Sequence, residues 1–297
     1  MKSADRKLDG SEIAGCPPAL YIVATPIGNL EDITLRALRV LKEVDVIACE
    51  DTRQTQKLLN HYAIATRTIS YHQHNEAARA AELVKDLQQG ASVALVTDAG
   101  MPGISDPGFR LISLAIQHRV QVVPIPGASA FLAALVASGL PTDSFRFNGF
   151  LPPKHGARRA ALEAIGVSQL TQVFYEAPHR ILETLADVVE VLGATRQVVI
   201  AREVTKLHEE FLRGSAAELL DTLKSRDAVK GEITLLIGKP EDKTSAATGA
   251  LTHPSIRQRM EQMMTEEKLD EKDALKKVAK ERGISKSEVY REWQRVK

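Results

Sequence analysis

The stretch SVALVTDAGMPGISDPG, residues 92–108, contains a short apolar run that leads into a loop of glycines and prolines. The run is rich in β-branched residues and carries no charge before Asp98, which is typical of a strand buried on both faces of a parallel sheet. Three glycines and two prolines follow within residues 97–108. Since such a loop is entropically costly unless it is rigid, we interpret it as a cradle that brings backbone close to a ligand.

The same pattern recurs along the chain from Leu20. Three more apolar runs are similar and carry no charge beyond Asp45: LYIVAT (20–25), VDVIAC (44–49) and VQVVPI (120–125). Amphipathic stretches that predict helices lie between and after the runs, at 32–43, 52–61, 75–90 and 106–118. Strands that alternate with helices predict an α/β domain with a largely parallel sheet.

A second α/β unit is expected to follow. Its predicted strands lie at 145–150, 171–176, 197–202, 208–213 and 232–237. Its predicted helices lie at 128–139, 156–166, 179–192 and 215–225. Two adjacent strands near 197–213 indicate a mixed sheet. We therefore divide this part of the chain into an N-terminal α/β domain, 19–124, and a C-terminal α/β domain, 125–240.

The two ends of the chain differ from this core in composition. Residues 1–18 are expected to form a flexible leader, and the polar stretch 241–250 a linker. Residues 251–297 carry 12 Lys or Arg against 9 Asp or Glu, a net charge of +3, whereas the rest of the chain sums to −2. Apolar positions at helical spacing, with Gly283 as a turn and Ser285 as a cap, predict an all-α unit resembling a helix-turn-helix. A small solvated bundle that docks on the main body is the alternative.

Composition narrows the functional classes. The 297 residues are 44% hydrophobic and 26% charged with a formal net charge of +1, so the chain is an ordinary globular protein rather than a polycation. Cys16 and Cys49 have neither disulfide nor zinc spacing, which favours a reducing compartment. The longest apolar stretch, 128–140, is shorter than the roughly 20 residues that span a bilayer. We expect a cytoplasmic protein with no membrane segment and no metal site.

Five turns follow predicted strands, at the edge where open α/β sheets bind ligands. They are TPIGNLEDIT (25–34), CEDTR (49–53), TDAGMPGISDPG (97–108), PIPGASA (124–130) and FYEAPHR (174–180). The first strand is not followed by G-x-G-x-x-G, and no G-x-x-x-x-G-K-[ST] occurs, so the usual dinucleotide fold and P-loop are not expected.

Several charged residues in these turns also have structural explanations. Asp51 or Thr52 could cap the next helix, with Arg53 neutralising its neighbour; equally, Glu50, Asp51 and Arg53 could form a polar site. Asp106, which precedes a proline, fits the N-cap of the following helix.

The last of the five turns places basic residues at a helix start. His179 and Arg180 lie in the first turn of the predicted helix, where they oppose the helix dipole and are therefore expected to face a ligand or partner. A salt bridge between Arg180 and Glu176 is the alternative.

The segments LYIVATPIGNLEDIT, ACEDTR, LVTDAGMPGISDPG, PGASA, YEAPHR and GEITLLIG, in this order, closely resemble the tetrapyrrole methylase (class III) superfamily, in its ribosomal small-subunit methyltransferase I branch. The resemblance covers about residues 20–240. It implies two α/β domains with an S-adenosylmethionine cleft between them, and a homodimer. It also implies methylation of the ribose 2′-oxygen of a cytidine in 16S rRNA, at the decoding centre of the small ribosomal subunit. The superfamily's glycine-rich first turn is replaced here by ATPIGNL, which argues against a tetrapyrrole substrate.

The resemblance also implies a set of cofactor-binding residues in this sequence: Ile27, Asp98, Met101, Ser129, Ala130, Tyr175, Gly231 and Thr234. Methyl transfer to a weakly acidic ribose hydroxyl gains from a base or a positive charge near the developing alkoxide. The candidate bases are Glu50, Asp51, Asp106 and Glu176. The candidate electrostatic or phosphate contacts are Arg53, His179, Arg180 and Lys206. We expect Asp98→Ala to abolish cofactor binding and Arg53→Ala to spare it while lowering transfer.

Two other functions remain open on the sequence. One is a small-molecule methyltransferase that acts on a tetrapyrrole-like ring, against which the basic tail and the missing glycines argue. The other is a non-catalytic nucleic-acid-binding regulator, against which the modest charge of the tail argues. Deletion of residues 251–297 distinguishes a regulator from an enzyme. A regulator would lose all its binding, whereas an enzyme would retain cofactor binding and lose mainly RNA affinity.

Overall fold

The computed structural model describes residues 15–240, 256–265, 269–282 and 286–294. The chain divides into two compact units, of which one ends at Pro240 and the other begins at Glu241. Most of the predicted leader, the linker 241–250 and the predicted turn at Gly283 with its Ser285 cap lie outside the described residues. None of the helices that are described is long and apolar enough to cross a membrane.

A five-stranded, all-parallel sheet forms the first half of the first unit. Its strands are β1 (Leu20–Val23), β2 (Val46–Cys49), β3 (Thr68–Ser70), β4 (Val93–Leu95) and β5 (Val122–Ile125). They lie in the order β3-β2-β4-β1-β5, and every pair is parallel. The connecting helices are α1 (Leu35–Glu43), α2 (Thr52–His61), α3 (Glu76–Gln88) and α4 (Phe109–Gln117).

Burial on both faces of this sheet explains its uncharged, apolar strands. Tyr21 and Val23 of β1 pack into an apolar cluster with residues of α1 and α2. Leu20 and Ile22, which point to the opposite face, pack with residues of α3 and α4. The sheet is therefore covered by helices on both sides. The sequence prediction missed one strand, β3, which is a three-residue, half-buried strand at the sheet edge.

A second five-stranded sheet follows in the same unit. Its strands are β6 (Phe145–Phe150), β7 (Thr171–Glu176), β8 (Gln197–Arg202), β9 (Glu210–Ser215) and β10 (Ile233–Ile237). The order is β6-β7-β10-β8-β9; β6 and β7 are parallel and the other pairs antiparallel, so the sheet is mixed, as predicted. Its helices are α5 (Ala130–Ser138), α6 (His155–Ile165), α7 (Ile181–Leu192) and α8 (Ala216–Lys224).

Alternation along the strands again places helices on both faces. Val198 and Ile200 of β8 pack with α6, α7 and α8. Val199 and Ala201 pack on the other face with residues of α5. Ile27, from the loop after β1, belongs to that same cluster, so this cluster contains residues from both halves of the unit.

The second compact unit is helical, as predicted. It contains α9 (Ile256–Thr265), α10 (Glu271–Arg282) and α11 (Lys286–Gln294). Residues from all three helices form an apolar core of their own: Met260, Met263, Ala274, Val278, Ala279 and Val289. The described residues of the tail thus form three helices around a hydrophobic core of their own.

Candidate functional site

The two sheets of the first unit direct corresponding strand ends toward one cleft. Strands β1, β4 and β5 contribute the loops at their carboxyl ends, and β6, β7 and β8 contribute their own carboxyl ends. Because β10 runs antiparallel to β7 and β8, its amino end lies at the same edge. The cavity enclosed there has a volume of about 330 Å³. Such a crevice is where open α/β sheets bind their ligands.

Many of the residues singled out in the sequence lie in the wall of this cavity, hereafter the first cavity. Those that line it are Ile27, Met101, Asp106, Ser129, Ala130, Tyr175, Glu176 and Thr234. They come from five separate loops or strand ends, which the topology brings together. The wall is largely apolar and contains a small number of polar groups, a combination typical of small-molecule sites.

A backbone bridge fixes the glycine- and proline-rich loop at the cavity. Thr25 and Gly100 exchange two backbone hydrogen bonds, of 2.9 and 3.1 Å, and the Thr25 hydroxyl donates to the carbonyl of Thr97 at 3.0 Å. Gly100 has a φ of +83°, a conformation that favours glycine. Ser105 adopts a φ of +64° without being a glycine, a strained conformation of the kind found at functional sites. The loop is therefore held rigidly against the loop after β1.

Asp106 is not the N-cap of α4, so that part of the sequence interpretation is wrong. The helix begins at Phe109 and its cap position is Gly108. Asp106 lies in the wall of the first cavity instead. Burial raises the pKa of its carboxyl to about 6; a hydrogen bond with Thr97 opposes this shift, and nearby carboxylates add to it. Asp106 is thus a carboxyl group that changes its charge close to neutral pH.

A row of aromatic rings supports the opposite wall. Phe131 stacks on Phe147 with ring centroids 4.4 Å apart, and Phe147 meets Tyr175 edge-on at 5.0 Å. Phe150 lies 5.7 Å from Tyr175 on the cavity side. Burial raises the pKa of the Tyr175 hydroxyl, and a backbone hydrogen bond with Phe131 opposes the shift. The row therefore links the end of β7 to the first turn of α5.

The carboxylate of Glu176 is fully engaged within the protein. Arg180 donates to it at 2.9 and 2.5 Å, Thr184 donates its hydroxyl at 2.7 Å, and the backbone N–H of Ala177 donates at 2.7 Å. These contacts agree with the salt-bridge alternative for Arg180. His179 is exposed and lines neither this cavity nor the neighbouring one.

The charged residues of the turn CEDTR (49–53) mainly form the start of helix α2. The Asp51 carboxylate accepts from the backbone N–H of Arg53 at 2.8 Å and caps α2. The Arg53 guanidinium, 87% exposed, pairs with the same carboxylate at 2.8 Å, and this hydrogen bond lowers the pKa of Asp51 to about 2. Glu50 accepts from the Thr97 hydroxyl at 3.2 Å, so it supports the strand end that leads to Asp98.

A second cavity of about 460 Å³ adjoins the first. Asp98 lies in its wall rather than in that of the first cavity, so it is not beside most of the cofactor-binding residues that the resemblance implies. It accepts from the backbone N–H of Asp51 at 3.2 Å. Helix α2 contributes Gln54 and Lys57, and the turn after β8 contributes Lys206. The two cavities share a wall formed by Ile27, Ala99 and Glu232.

Sequence reasoning missed Glu232, although it lies in the quoted segment GEITLLIG. The residue before it, Gly231, lines neither cavity; a Cβ built there would lie 2.5 Å from Cγ of Glu203. Gly231, with a φ of +93°, thus allows a close approach of two loops and carries the chain into the cavity wall. Within the described residues, no cluster of His, Cys, Asp and Glu is arranged to hold a metal ion.

The family model for Tetrapyrrole (Corrin/Porphyrin) Methylases matches residues 19–220. The chain belongs to the tetrapyrrole methylase family. Tetrapyrrole methylases similar to it include the ribosomal RNA small subunit methyltransferase I of Halalkalibacterium halodurans, 48% identical over 91% of this chain and 93% of that protein. The protein of the same name from Vibrio cholerae is 52% identical over 77% of this chain and 80% of that protein. Within the tetrapyrrole methylases, the chain thus lies in the branch that carries this name.

A solved structure of a tetrapyrrole methylase supports the fold. Uroporphyrin-III-C-methyltransferase from Thermus thermophilus matches with a TM-score of 0.52 at 21% identity, over 74% of this chain and 94% of that chain. At this identity the likeness concerns the fold alone. It confirms the predicted α/β architecture of two sheets.

Proposed function

We propose that the protein transfers a methyl group from S-adenosylmethionine to the ribose 2′-oxygen of a cytidine in 16S rRNA, at the decoding centre of the small ribosomal subunit. The observation that carries the proposal is the cleft between the two sheets, in a chain 48% identical to a relative named ribosomal RNA small subunit methyltransferase I. The reaction takes place in the cytoplasm, where ribosomal subunits are assembled.

The residues of the first cavity fit S-adenosylmethionine. Its volume of about 330 Å³ falls within the range of about 300–1,000 Å³ typical of small-molecule sites. Ile27, Met101 and Val204 offer apolar surface to the adenine ring. Asp106 offers a carboxylate to the positive charges of the cofactor. Ser129 at the start of α5 makes no side-chain cap, so the N–H groups of that first turn suit the carboxylate end, apart from that of Phe131, which bonds the Tyr175 hydroxyl.

The bound cofactor supplies a methyl carbon that is already activated by its positive sulfur. The protein's contribution is therefore mainly to orient the acceptor and exclude water. The apolar wall with Phe150 and Tyr175 excludes water, and the bridged loop around Gly100 fixes the geometry.

The helical tail supplies positive charge for binding RNA. Lys272 and Lys276 on α10 are exposed and lie one turn apart, on the same face of the helix. Lys286 at the start of α11 is also exposed. Phosphate contacts of this type add affinity without sequence specificity, and this affinity decreases with salt.

The homodimer implied by the family is part of the proposal. Phe109 and Ile116 lie two turns apart on α4 and are 77% and 60% exposed, a surface that an interface would cover. Light scattering on the purified protein tests it, with a mass near twice 32.5 kDa expected.

The deciding experiment measures transfer of labelled methyl from S-adenosylmethionine to small ribosomal subunits purified from a strain that lacks this gene. Nuclease mapping then locates the label. We expect it in a single 2′-O-methylated cytidine. Absence of transfer to both subunits and naked rRNA, in a protein that measurably binds the cofactor, would overturn the assignment.

A further inference from the structure

Glu232 occupies the wall that the two cavities share. Among the described residues, it is the one with an ionisable side chain that lines both of them. Its side chain is 75% exposed, and its Oε1 atom has no partner in the described part of the chain. A group in this place can contact ligands in both cavities at once.

The backbone of Glu232 is fixed by the turn after β8. Its N–H donates to Oε1 of Glu203 at 2.8 Å, and its carbonyl accepts from the N–H of Glu203 at 2.9 Å. Its Oε2 lies 3.1 Å from Nζ of Lys206. One carboxylate oxygen is therefore held in place while the other stays available.

Lys206 is itself closely positioned. Its Nζ lies 2.9 Å from Oε1 of Glu203, and its aliphatic stem packs directly over Gly28, where a Cβ would lie 2.3 Å from Cγ of the lysine. Glu203 and Thr205, on the same turn, adopt φ values of +51° and +69°. Such strained backbone persists only where the surroundings hold it, and it is concentrated at functional sites.

The other carboxylates near the cavities are placed less well for the transfer itself. Asp106 lines only the first cavity, where the cofactor is proposed to bind. Asp98 lines the second cavity but does not belong to the wall that it shares with the first, and its Oδ1 already accepts from the backbone N–H of Asp51. Glu176 is fully engaged with Arg180 and its neighbours.

We propose that the acceptor nucleoside occupies the second cavity, and that Glu232 is a catalytic residue that takes the proton of its 2′-hydroxyl, with Lys206 as a positioning residue. This inference rests on the proposed function. The hydroxyl oxygen forms a bond to the methyl carbon while the carbon–sulfur bond breaks, and the electron pair of that bond remains on sulfur, which becomes a neutral thioether. The hydroxyl proton passes to the Glu232 carboxylate and then to water.

The test compares Glu232→Gln with Glu190→Gln, a matched control. Glu190 is an exposed glutamate that pairs with Arg159 on the surface of α6 and α7, away from both cavities. Calorimetry of S-adenosylmethionine binding and a subunit-binding assay are run beside single-turnover transfer. We expect Glu232→Gln to keep both affinities and to lose about 10²- to 10⁴-fold in transfer rate, the usual contribution of a general base. Glu190→Gln is expected to behave as wild type.

Chemical rescue separates proton transfer from a structural effect. In Glu232→Ala, added formate is expected to restore part of the transfer rate, which a misplaced wall would not allow. Lys206→Met is expected to lower the maximal rate with little change in the KM for subunits, and Lys206→Arg to recover most of it.

Three results would contradict these proposals, and they are distinguishable. Wild-type protein that transfers no methyl group to subunits overturns the proposed function, and this inference with it. Active wild-type protein with an equally active Glu232→Gln overturns the inference alone. A loss of cofactor or subunit affinity large enough to account for the lower rate also overturns it, since Glu232 would then be a binding residue.

Discussion

At Asp106, burial raises the pKa of the carboxyl to about 6 from an ordinary value of 3.8, so the folded protein binds this proton more tightly than the unfolded chain does. The stabilisation that the folded protein gains from binding this proton more tightly is fully present below about pH 4 and is lost as the pH rises through about 6. Above that pH, Asp106 of the wild-type protein carries a partly buried negative charge, whereas an asparagine at this position is neutral.

Asp106→Asn is therefore expected to stabilise the protein relative to wild type at pH 7.5 more than at pH 4.5. The difference is about 1 kcal/mol, well below the full value of the pKa shift because water reaches part of the carboxyl group. Urea unfolding at the two pH values measures it. A stability difference that does not change between the two pH values would contradict the assigned environment of Asp106.

The close approach of Gly28 and Lys206 gives a second prediction for a single residue. In Gly28→Ala, the new Cβ would lie 2.3 Å from Cγ of Lys206, and a flexible side chain can move aside. We expect the fold to survive and the contacts of Lys206 with Glu203 and Glu232 to be lost, lowering the transfer rate about tenfold. Because Gly28 has a φ of +156°, which strains any side chain, the control is Gly90→Ala, with a φ of +96° and a Cβ that meets nothing within 4 Å. Unchanged transfer in Gly28→Ala would show that this contact has no role in the reaction.

Among the elements, apolar strands could be predicted from the sequence because burial on both faces requires uninterrupted apolar runs. Strand β3 could not, since Thr68–Ser70 is short and half buried at the sheet edge, where no such run is needed. The predicted cap of α4 was wrong: Asp106 followed by proline resembles a common helix start, whereas the helix begins only at Phe109 and Asp106 lies in the cavity wall.

The candidate site was predictable as a set of turns but not as a set of contacts. Parallel strands bring their carboxyl ends to one edge, so turns far apart in sequence were expected to meet. Which side chains pair there depends on loop geometry that no local pattern specifies. Lys206 and Glu232 come together through the strained turn after β8, and Glu176 is neutralised by Arg180 within its own turn.

A buried ion pair joins two helices of the second sheet. Arg158 on α6 and Asp187 on α7 are both almost fully buried, with Nε 2.5 Å from Oδ2, and His155 contacts the other carboxylate oxygen at 3.0 Å. Arg158→Met is expected to destabilise the protein by about 3–5 kcal/mol, because it leaves a buried carboxylate without its partner. The double variant with Asp187→Leu is expected to recover most of that loss. Additive losses in the two single variants, measured by urea unfolding, would contradict this coupling.

For the whole molecule, the division at Pro240 separates two hydrophobic cores. The helical unit packs around residues such as Met260 and Val278, and the sheets have separate clusters of their own. A chain that ends at Pro240 is therefore expected to fold, as monitored by circular dichroism, and to bind S-adenosylmethionine with the affinity of the full chain.

The same truncation is expected to weaken RNA binding and to reduce its dependence on salt. If Lys272, Lys276 and Lys286 each contact a phosphate, their loss lowers the slope of log affinity against log salt by about 2 to 3. Binding to the rRNA, measured from 50 to 200 mM salt, gives the slope. The full-length chain with these three lysines changed to glutamine is the control, and it should show the same reduction without loss of the helical unit. An unchanged slope in both the truncated chain and the triple-glutamine variant would mean that the phosphate contacts lie on the two-sheet unit. A slope that is reduced only in the truncated chain would assign these contacts to other residues of the tail.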